Sequence, residues 1–309
     1  MANVLAADKQ RTALQMLVEG NSLRSVTRLT GIYRTTVMSL LSRFGDACRQ
    51  FMDEEMRGLK LDHLEVDEVW TFVGKKQGRL HVEERDNPNI GDMYMWVALD
   101  KDTKLVPTFI IGKRSADMAR RLMVDLASRL VFPRPQDWNT DVFQKVTQIS
   151  TDGFAAYPEA VDLAFGPYVK FGTIIKDYRN ADRKSGNYSP AQLSGTQRTP
   201  RFGMREDEIA TICTSHVERN NLTTRTFMKR FARLSLGFSK KRENLAAAAA
   251  LHFANYNFCW RPRHTDQSGK AGRLRPTPAM AAGVTNRLWK FDDLFFRGKE
   301  PLSRKLRSA

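Results

Sequence analysis

The stretch of residues 64–73, LEVDEVWTFV, places the strongest constraint on the fold of this chain. It predicts a β-strand, because β-branched and aromatic residues dominate it and Gly74 follows. Apart from its acids the stretch is almost wholly apolar, the pattern of a strand covered on both faces. Asp67 lies in its middle, where an ionised carboxylate is costly unless a cation or several donors hold it. The alternative is that Glu65, Asp67 and Glu68 pair with arginines or lie on an exposed edge.

The composition favours a globular protein with a polyanionic partner. The 309 residues suffice for about two domains, and the 41% hydrophobic content allows a proper core. The net charge is +16, with 50 lysines and arginines against 34 acids, and nucleic acid is the commonest partner of such a surplus. Residues 219–275 carry thirteen of these basic residues and two acids, so much of the surplus lies in the C-terminal part.

Cysteine usage and hydropathy exclude several classes of protein. Cys48, Cys213 and Cys259 are far apart and lack metal-ligand spacing, which argues against zinc and for a reducing compartment. The N-terminus lacks the pattern of a secretory signal, and no run of about 18 apolar residues predicts a membrane span. We therefore expect a soluble, cytoplasmic protein with no membrane contact.

Residues 8–45 have the pattern of three short helices. Ser22 is placed to cap the second helix, Gly31 makes a tight turn, and Thr35 or Thr36 is placed to cap the third. Two capped helices joined by a glycine turn form the helix-turn-helix pattern, and the alternative is an ordinary three-helix bundle. The side chains expected to face a DNA groove are Arg34, Thr35, Thr36, Ser39 and Arg43.

The central part alternates strands and helices. Apolar segments at 79–83, 93–99 and 105–111 predict an antiparallel meander after the first strand, and Pro107 favours an edge position for the last of them. The segments that follow are a helix capped by Ser115, a strand at 146–151, a helix at 155–165, a strand at 168–175 and an insertion at about 176–210. The insertion is rich in Arg, Ser, Gly and Pro, and predicts either a hairpin or a mobile DNA-contacting loop.

Two further acids occupy unusual positions. Asp152 follows the 146–151 strand, where α/β sheets present functional groups, although Asp-Gly is also a favoured turn pair. Ser215 is placed to cap a helix that runs to about residue 234, with Glu218 in its first turn, and a capping box is the alternative role of Glu218. Arg225 lies two turns further along the same face. The basic residues expected to contact DNA here, or to form only a solvated face, are Arg219, Lys229, Arg230, Arg233, Lys240 and Lys241.

The order of elements predicts a mixed α/β chain of three units. Residues 1–60 form the helix-turn-helix domain and linker, and residues 61–260 match a ribonuclease-H-like catalytic domain with the insertion before its last catalytic helix. Residues 261–309 form a basic tail with a short docking segment. In the ribonuclease-H-like fold the first and fourth strands are neighbours, so Asp67, Asp152 and Glu218 should converge. Three such carboxylates need divalent cations, and two Mg²⁺ or Mn²⁺ ions about 3.5–4 Å apart clamp a phosphodiester during in-line displacement.

Three acid-bearing segments and two further motifs carry a family resemblance. They are VDEVWTF at 66–72, TDGFAAY at 151–157, TSHVERNNLT at 214–223, FARL at 231–234 with FSKK at 238–241, and TPAMAAG at 277–283. With them the chain resembles a DDE transposase of the insertion-sequence-one family, from the N-terminal helices to about Leu294.

The resemblance implies metal-dependent DNA cleavage at element ends and attack of the freed 3′-hydroxyl on target DNA. By analogy Asp67 bridges two Mg²⁺ ions, which Mn²⁺ can replace, and Asp152 and Glu218 each complete one ion's ligands. Arg225 matches a basic residue that holds a phosphate near the scissile bond. The partners implied are double-stranded DNA, as terminal inverted repeats and target, and further copies of the chain in a dimer or larger oligomer. A prokaryotic, nucleoid-associated location is implied as well.

Two other functions remain open from the sequence. A non-catalytic helix-turn-helix regulator would keep DNA binding and lose the chemistry, but it needs no triad of carboxylates. A nuclease or resolvase on the same fold would keep the acids without strand transfer.

Overall fold

The computed structural model describes residues 5–132, 146–179, 192–232, 235–261 and 275–298, which form a mixed α/β fold around a six-stranded sheet. The strands are β1 His63–Val73, β2 Gly91–Asp100, β3 Thr108–Gly112, β4 Gln148–Thr151, β5 Lys170–Arg179 and β6 Gln192–Phe202. Their order in the sheet is β3-β2-β1-β4-β5-β6. Strands β1, β4 and β5 are parallel neighbours, and the other pairs are antiparallel. The predicted first strand and its place beside the fourth are therefore confirmed.

The two faces of β1 meet different helices. Helix α4, Ala116–Ala127, and helix α5, Tyr157–Phe165, pack together, and Tyr157 of α5 contacts Glu68. Helix α6, Ser215–Phe227, contacts the opposite face through Glu65 and Asp67. Because successive side chains of a strand alternate between faces, Asp67 and Glu68 leave β1 in opposite directions.

The N-terminal helices are α1 Ala7–Val18, α2 Leu23–Thr30 and α3 Arg34–Glu55. As predicted, Ser22 caps α2, accepting a hydrogen bond of 3.1 Å from the Ser25 amide, and Gly31 ends it with φ +71°. The predicted cap of the third helix at Thr35 or Thr36 is wrong. Helix α3 begins at Arg34 after extended Tyr33, which contributes no side-chain cap, and it continues as one helix to Glu55.

Helix α3 shares its core with the C-terminal half of the chain. It packs against α7, Arg242–Phe258, with the Phe51 and Phe258 ring centroids 4.8 Å apart. The Trp289 ring lies 5.3 Å from Phe51, and the residues from 291 to 298 are helical. Trp289, Phe291, Leu294 and Phe295 are buried, as a docking segment requires. The division of the chain at residue 60 stays a prediction, and an apolar interface crosses it.

Two other segments differ from or refine the expectation. The prediction of a strand at 79–83 is wrong, since the β1–β2 connection forms short 3₁₀ turns at Gln77–Arg79 and Val82–Glu84. In the second turn the Glu84 side chain accepts a hydrogen bond of 3.0 Å from the His81 backbone amide. Strands β5 and β6 pair across the insertion, as expected of a hairpin, and residues 180–191 lie outside the described part. A short helix α8, Pro278–Ala281, follows α7. Within the described residues no helix has the length and apolar character that a membrane crossing requires.

Candidate acidic metal site

Parallel pairing of β1 and β4 brings two of the predicted acids together. Val66 lies opposite Thr151, so Asp67 and Asp152 come next on adjacent strands. One carboxylate oxygen each of Asp67, Glu68 and Asp152 lies within 4.8 Å of the other two. From the sequence, Glu68 was considered only as a partner of an arginine or as part of an exposed edge, and its side chain leaves the strand on the other face from Asp67. The structure places it in the cluster, because Asp152 lies where β4 has ended and its carboxylate reaches both acids.

Asp67 is a carboxylate whose surroundings disfavour its charge. The Asn221 side chain of α6 donates a hydrogen bond of 2.8 Å to Oδ2. Burial is the main cause that raises the pKa of Asp67 to about 7, opposed by a hydrogen bond from the Glu68 amide. The nearby charges of Glu68, Asp152 and Glu218 raise it further. A cation among these oxygens would relieve the repulsion and favour the ionised form.

Glu68 is held by groups from two other elements. Its side chain is 4% exposed, and it accepts hydrogen bonds from the Tyr157 hydroxyl at 2.5 Å and from Arg114 Nε at 3.3 Å. Burial and the charge of Asp152 raise the pKa of Glu68, while the bonds from Tyr157 and Arg114 lower it. Both bonds hold the carboxylate in one orientation toward Asp152.

Arg114 joins the two sides of the cluster. Its Nη2 lies 3.3 Å from Asp152 Oδ2, and its guanidinium lies 4.2 Å from the centre of the Phe154 ring. Asp152 also accepts the Phe154 amide at 3.0 Å, so the turn expected of Asp-Gly is present in addition to the cluster. The ion-pair alternative for Glu68 is therefore realised, and one arginine serves two carboxylates.

Glu218 faces the cluster from α6 without joining its closest group. Among the described residues, the acids with oxygens within 4.8 Å of one another are Asp67, Glu68 and Asp152, and Glu218 is not one of them. Its charge nevertheless contributes to the raised pKa of Asp67. Lys176 Nζ of β5 contacts Glu218 Oε1, and the Thr214 hydroxyl donates to the same oxygen at 2.8 Å. The structure thus brings Asp67 and Asp152 together, with Glu218 at the rim and paired to a lysine.

Glu65 performs the capping role that was predicted for Ser215. Ser215 lies inside the helix, and Thr214 before it provides no side-chain cap. Buried Glu65 Oε2 accepts the amides of His216 at 2.8 Å and Val217 at 3.0 Å, and Oε1 lies 2.7 Å from His216 Nδ1. Glu65, Cys213 and His216 have potential ligand atoms within 4.8 Å of one another. Because these hydrogen bonds occupy both oxygens of Glu65, we interpret this group as the attachment of α6 to β1.

The other predicted site residues lie mostly on exposed surfaces. Arg225 is half-buried on α6. The exposed members of the predicted DNA-contact set are Arg34, Thr35, Thr36, Ser39, Arg43, Arg219, Lys229, Lys240 and Lys241. Arg230 is half-buried, donates to Ser239 Oγ at 2.7 Å, and has its pKa lowered by burial, so its side chain serves packing in this structure. Arg233 lies outside the described residues.

Sequence reasoning missed Arg114, Tyr157 and Lys176. Arg114 had one available signal: it comes directly before Ser115, the cap of α4, at the end of a strand. Tyr157 lies 89 residues from Glu68 and Lys176 lies 42 residues from Glu218, and no local pattern pairs residues at such separations. The donor set of Asp67, Glu68 and Asp152 is made of carboxylate oxygens, which suits Mg²⁺ or Mn²⁺ better than a soft metal.

In comparison with known proteins, no protein-family model matches the sequence, and no curated protein matches it significantly.

Proposed function

We propose that this protein is a metal-dependent DNA transposase, which cleaves strands at the ends of a mobile element and joins the 3′-hydroxyl to target DNA. The observation that carries the proposal is the convergence of Asp67 and Asp152 from adjacent parallel strands, with Glu218 facing them from α6. The resemblance of the three acid-bearing segments to the insertion-sequence-one family supplies the reaction class.

The sheet supports the ribonuclease-H-like assignment that this function needs. An antiparallel β1–β2–β3 meander is followed by β4 and β5, which add to the other side of β1 in parallel. Strand β6 extends that order and belongs to the insertion, which ends before α6. This is the arrangement expected of a ribonuclease-H-like core with an added hairpin before the last catalytic helix.

Asp67 and Asp152 are the residues that would hold Mg²⁺, completed by Glu68 or Glu218. When held there, Mg²⁺ would lower the pKa of an attacking water or hydroxyl and would stabilise the charge that develops on the phosphate. The protein's own part is orientation: Asn221 fixes Asp67, and Tyr157 with Arg114 fixes Glu68. Arg225, in the next turns of α6 after Glu218, is assigned to the phosphate near the scissile bond.

The helix-turn-helix assignment rests on the N-terminal helices. Gly31 separates capped α2 from α3, and the residues expected at the groove are exposed on α3. Short polar and basic side chains on such a helix suit phosphates and base edges. We assign recognition of the element ends to this surface, and nonspecific contact with DNA to the exposed basic residues of α6 and those that follow it.

The decisive experiment is metal-dependent cleavage of DNA that carries the sequences flanking the gene. Asp152→Ala or Glu218→Ala is expected to abolish cleavage in Mg²⁺ while gel-shift binding of the same DNA survives. Asp162→Ala, which removes an exposed acid of α5, is the matched control and should cut normally. Undiminished cutting by either site variant would overturn the catalytic assignment.

The same assay separates the remaining alternatives. A regulator that lost the chemistry would bind the DNA and leave it intact in both Mg²⁺ and Mn²⁺. A nuclease or resolvase would cleave but would produce no joined product when target plasmid is added.

A further inference from the structure

We propose that Arg114, with Arg85 and Lys113, forms a phosphate-binding subsite beside the acid cluster, which receives the DNA strand as Arg114 exchanges Asp152 for a phosphate. The proposal rests on the proposed function, and it adds where the strand enters and which side chain meets it. Neither Arg85 nor Lys113 is among the acid ligands or the DNA-contact residues assigned above.

Arg114 is placed to exchange partners. Its contacts to Glu68 and Asp152 are both 3.3 Å, long for charge-assisted hydrogen bonds, and its side chain is 37% exposed. The contact with the Phe154 ring and the Nε bond to buried Glu68 anchor the side chain independently of Asp152. Release of Asp152 would therefore leave Nη1 and Nη2 available while the guanidinium stays in place.

A cleft opens at Arg114 on the side away from α6. It has a volume of about 360 Å³, and its walls include Gln77, Arg85, Asp92, Tyr94, Lys113 and Arg114. Lys113 Nζ donates hydrogen bonds to the Ile90 carbonyl and to Gln77 Oε1, the second of 3.2 Å, which hold it in the wall. Asp92 Oδ1 accepts a hydrogen bond of 3.0 Å from the Gln77 backbone amide. The lining includes three cations against Asp86 and Asp92, so the cleft has a net positive charge.

The chemistry of the lining fits a phosphodiester rather than a carboxylate-rich or apolar ligand. A guanidinium presents two parallel N–H groups to phosphate oxygens, a geometry that a lysine cannot reproduce. The acid cluster alone would repel a polyanion, and Arg114 is the cation that separates Glu68 and Asp152 from the cleft. A divalent cation bound by Asp152 competes with Arg114 for that carboxylate. Metal binding and strand binding are therefore expected to favour each other through this side chain.

Three measurements on the full chain test the subsite, with Arg114→Ala and Arg120→Ala as the matched pair. Arg120 is an exposed arginine of α4 that pairs with Glu159, away from the cleft. In DNA-free protein, Arg114→Ala should bind Mn²⁺ more tightly by on the order of tenfold, because one competing cation is lost. Titration followed by electron paramagnetic resonance reads this effect without any catalysis.

Binding of a fluorescein-labelled single-stranded oligonucleotide is the second measurement. Arg114→Ala and Arg85→Ala should each reduce the slope of log affinity against log salt by about one. Arg85→Ala should leave the Mn²⁺ affinity unchanged, because Arg85 is not a hydrogen-bond partner of the acids. In the third measurement, Arg114→Ala should lower Mg²⁺-dependent cleavage by roughly 100-fold or more. Arg120→Ala should match the wild type in all three.

The outcomes separate this subsite from the proposed function. If the wild-type protein never cleaves DNA but the shifts in Mn²⁺ and oligonucleotide binding are present, the subsite is supported and the transposase function is refuted. Normal cleavage with both binding shifts absent overturns the subsite and keeps the transposase. Should Arg114→Ala fail to fold by circular dichroism, Arg114→Lys replaces it. It keeps the charge but cannot present two parallel N–H groups to the phosphate, so it must weaken oligonucleotide binding at a fixed salt concentration, and wild-type affinity would also overturn the subsite.

Discussion

At the scale of single residues, the carboxylate of Asp67 links the stability of the metal-free fold to pH. Its neighbours on β1 are apolar or acidic, and Asn221 is the side chain that donates to it. With a pKa raised to about 7 by burial first and by neighbouring acids, Asp67 keeps its proton in the folded state over a range where the unfolded chain has lost it.

The first prediction follows from that difference. A raised acid pKa makes the metal-free fold lose stability as pH rises from the ordinary value of 3.8 to about 7, beyond which the loss is constant. Asp67→Asn removes the titration, so at pH above that range it should raise the free energy of unfolding by on the order of 4 kcal/mol, since the pKa rises by about three units and each unit is worth about 1.4 kcal/mol. Urea unfolding in EDTA across the pH range measures it.

Asp162→Asn, at an exposed position, is the control and should keep the wild-type pH profile. If Asp67→Asn instead reproduces that profile, the carboxylate is not the group that titrates, and the crowding of the acids has been overstated.

Some residues of the candidate site could be predicted from the sequence and others could not. Asp67 and Asp152 could be predicted as site residues from the sequence, because each is an acid in or directly after a strand pattern, where an acid is unusual. The role of Glu65 could not be predicted, since it depends on the backbone amides of His216 and Val217. Those amides come within hydrogen-bond distance only when α6 docks on β1. A capping hydroxyl one residue before a helix is a local signal, whereas a cap from a distant strand leaves none.

At the scale of elements, the attachment of α6 to β1 depends on a short polar ladder. Glu65 and Asp67 lie on one face of the strand, and they contact residues 216–217 and Asn221 respectively, about one helical turn apart. This ladder sets where Glu218 lies relative to Asp67.

Glu65→Ala is therefore expected to loosen α6. It leaves two helix amides and the His216 ring without their partner, at a cost of about 1–3 kcal/mol for a buried unsatisfied group. Hydrogen exchange of the α6 amides should accelerate more than that of α4. Glu83→Ala, at an exposed position in a surface turn, is the control, and equal protection of α6 in both variants would contradict the attachment role.

A second element-scale prediction concerns the contact of α3 with α7. A Cβ added at Gly45 would lie 2.3 Å from the Ala247 carbonyl oxygen, a backbone atom that cannot rotate away. Gly45→Ala should thus force the helices apart and lower the free energy of unfolding by about 3 kcal/mol, at the upper end for overpacking. Thermal unfolding is the measurement.

Gly78→Ala is the matched control for that substitution, because a Cβ there meets no atom within 4 Å. Equal melting temperatures for the two variants would mean that α3 and α7 are not in close contact in solution. A helix at the position of α3 was predicted from the sequence, but its contact with α7 could not be predicted, since a glycine inside a helical pattern is equally consistent with a tolerated exposed position or a helix end.

At the scale of the whole molecule, the acids gather at one place in the sheet while the predicted DNA surface lies on α3 and after α6. Helix α3 cannot be removed to test its part, because Phe44 and Phe51 belong to the common core. Deleting residues 1–60 would expose the buried faces of Phe258 and Trp289, so such a fragment would combine the loss of the DNA surface with damage to the core.

Surface substitutions avoid that ambiguity and give the last prediction. Arg34 and Arg43 are exposed on α3, so the double variant Arg34→Ala/Arg43→Ala should keep the wild-type melting temperature. Its binding to DNA with the flanking ends should fall toward its binding to unrelated DNA, and the salt slope should fall by about two, one for each arginine that no longer meets a phosphate. The control is Arg49→Ala, because Arg49 is an exposed arginine of the same helix and pairs with Asp46. Full selection of the ends by the double variant would place recognition elsewhere, and the exposed Lys240 and Lys241 would be the next residues to replace.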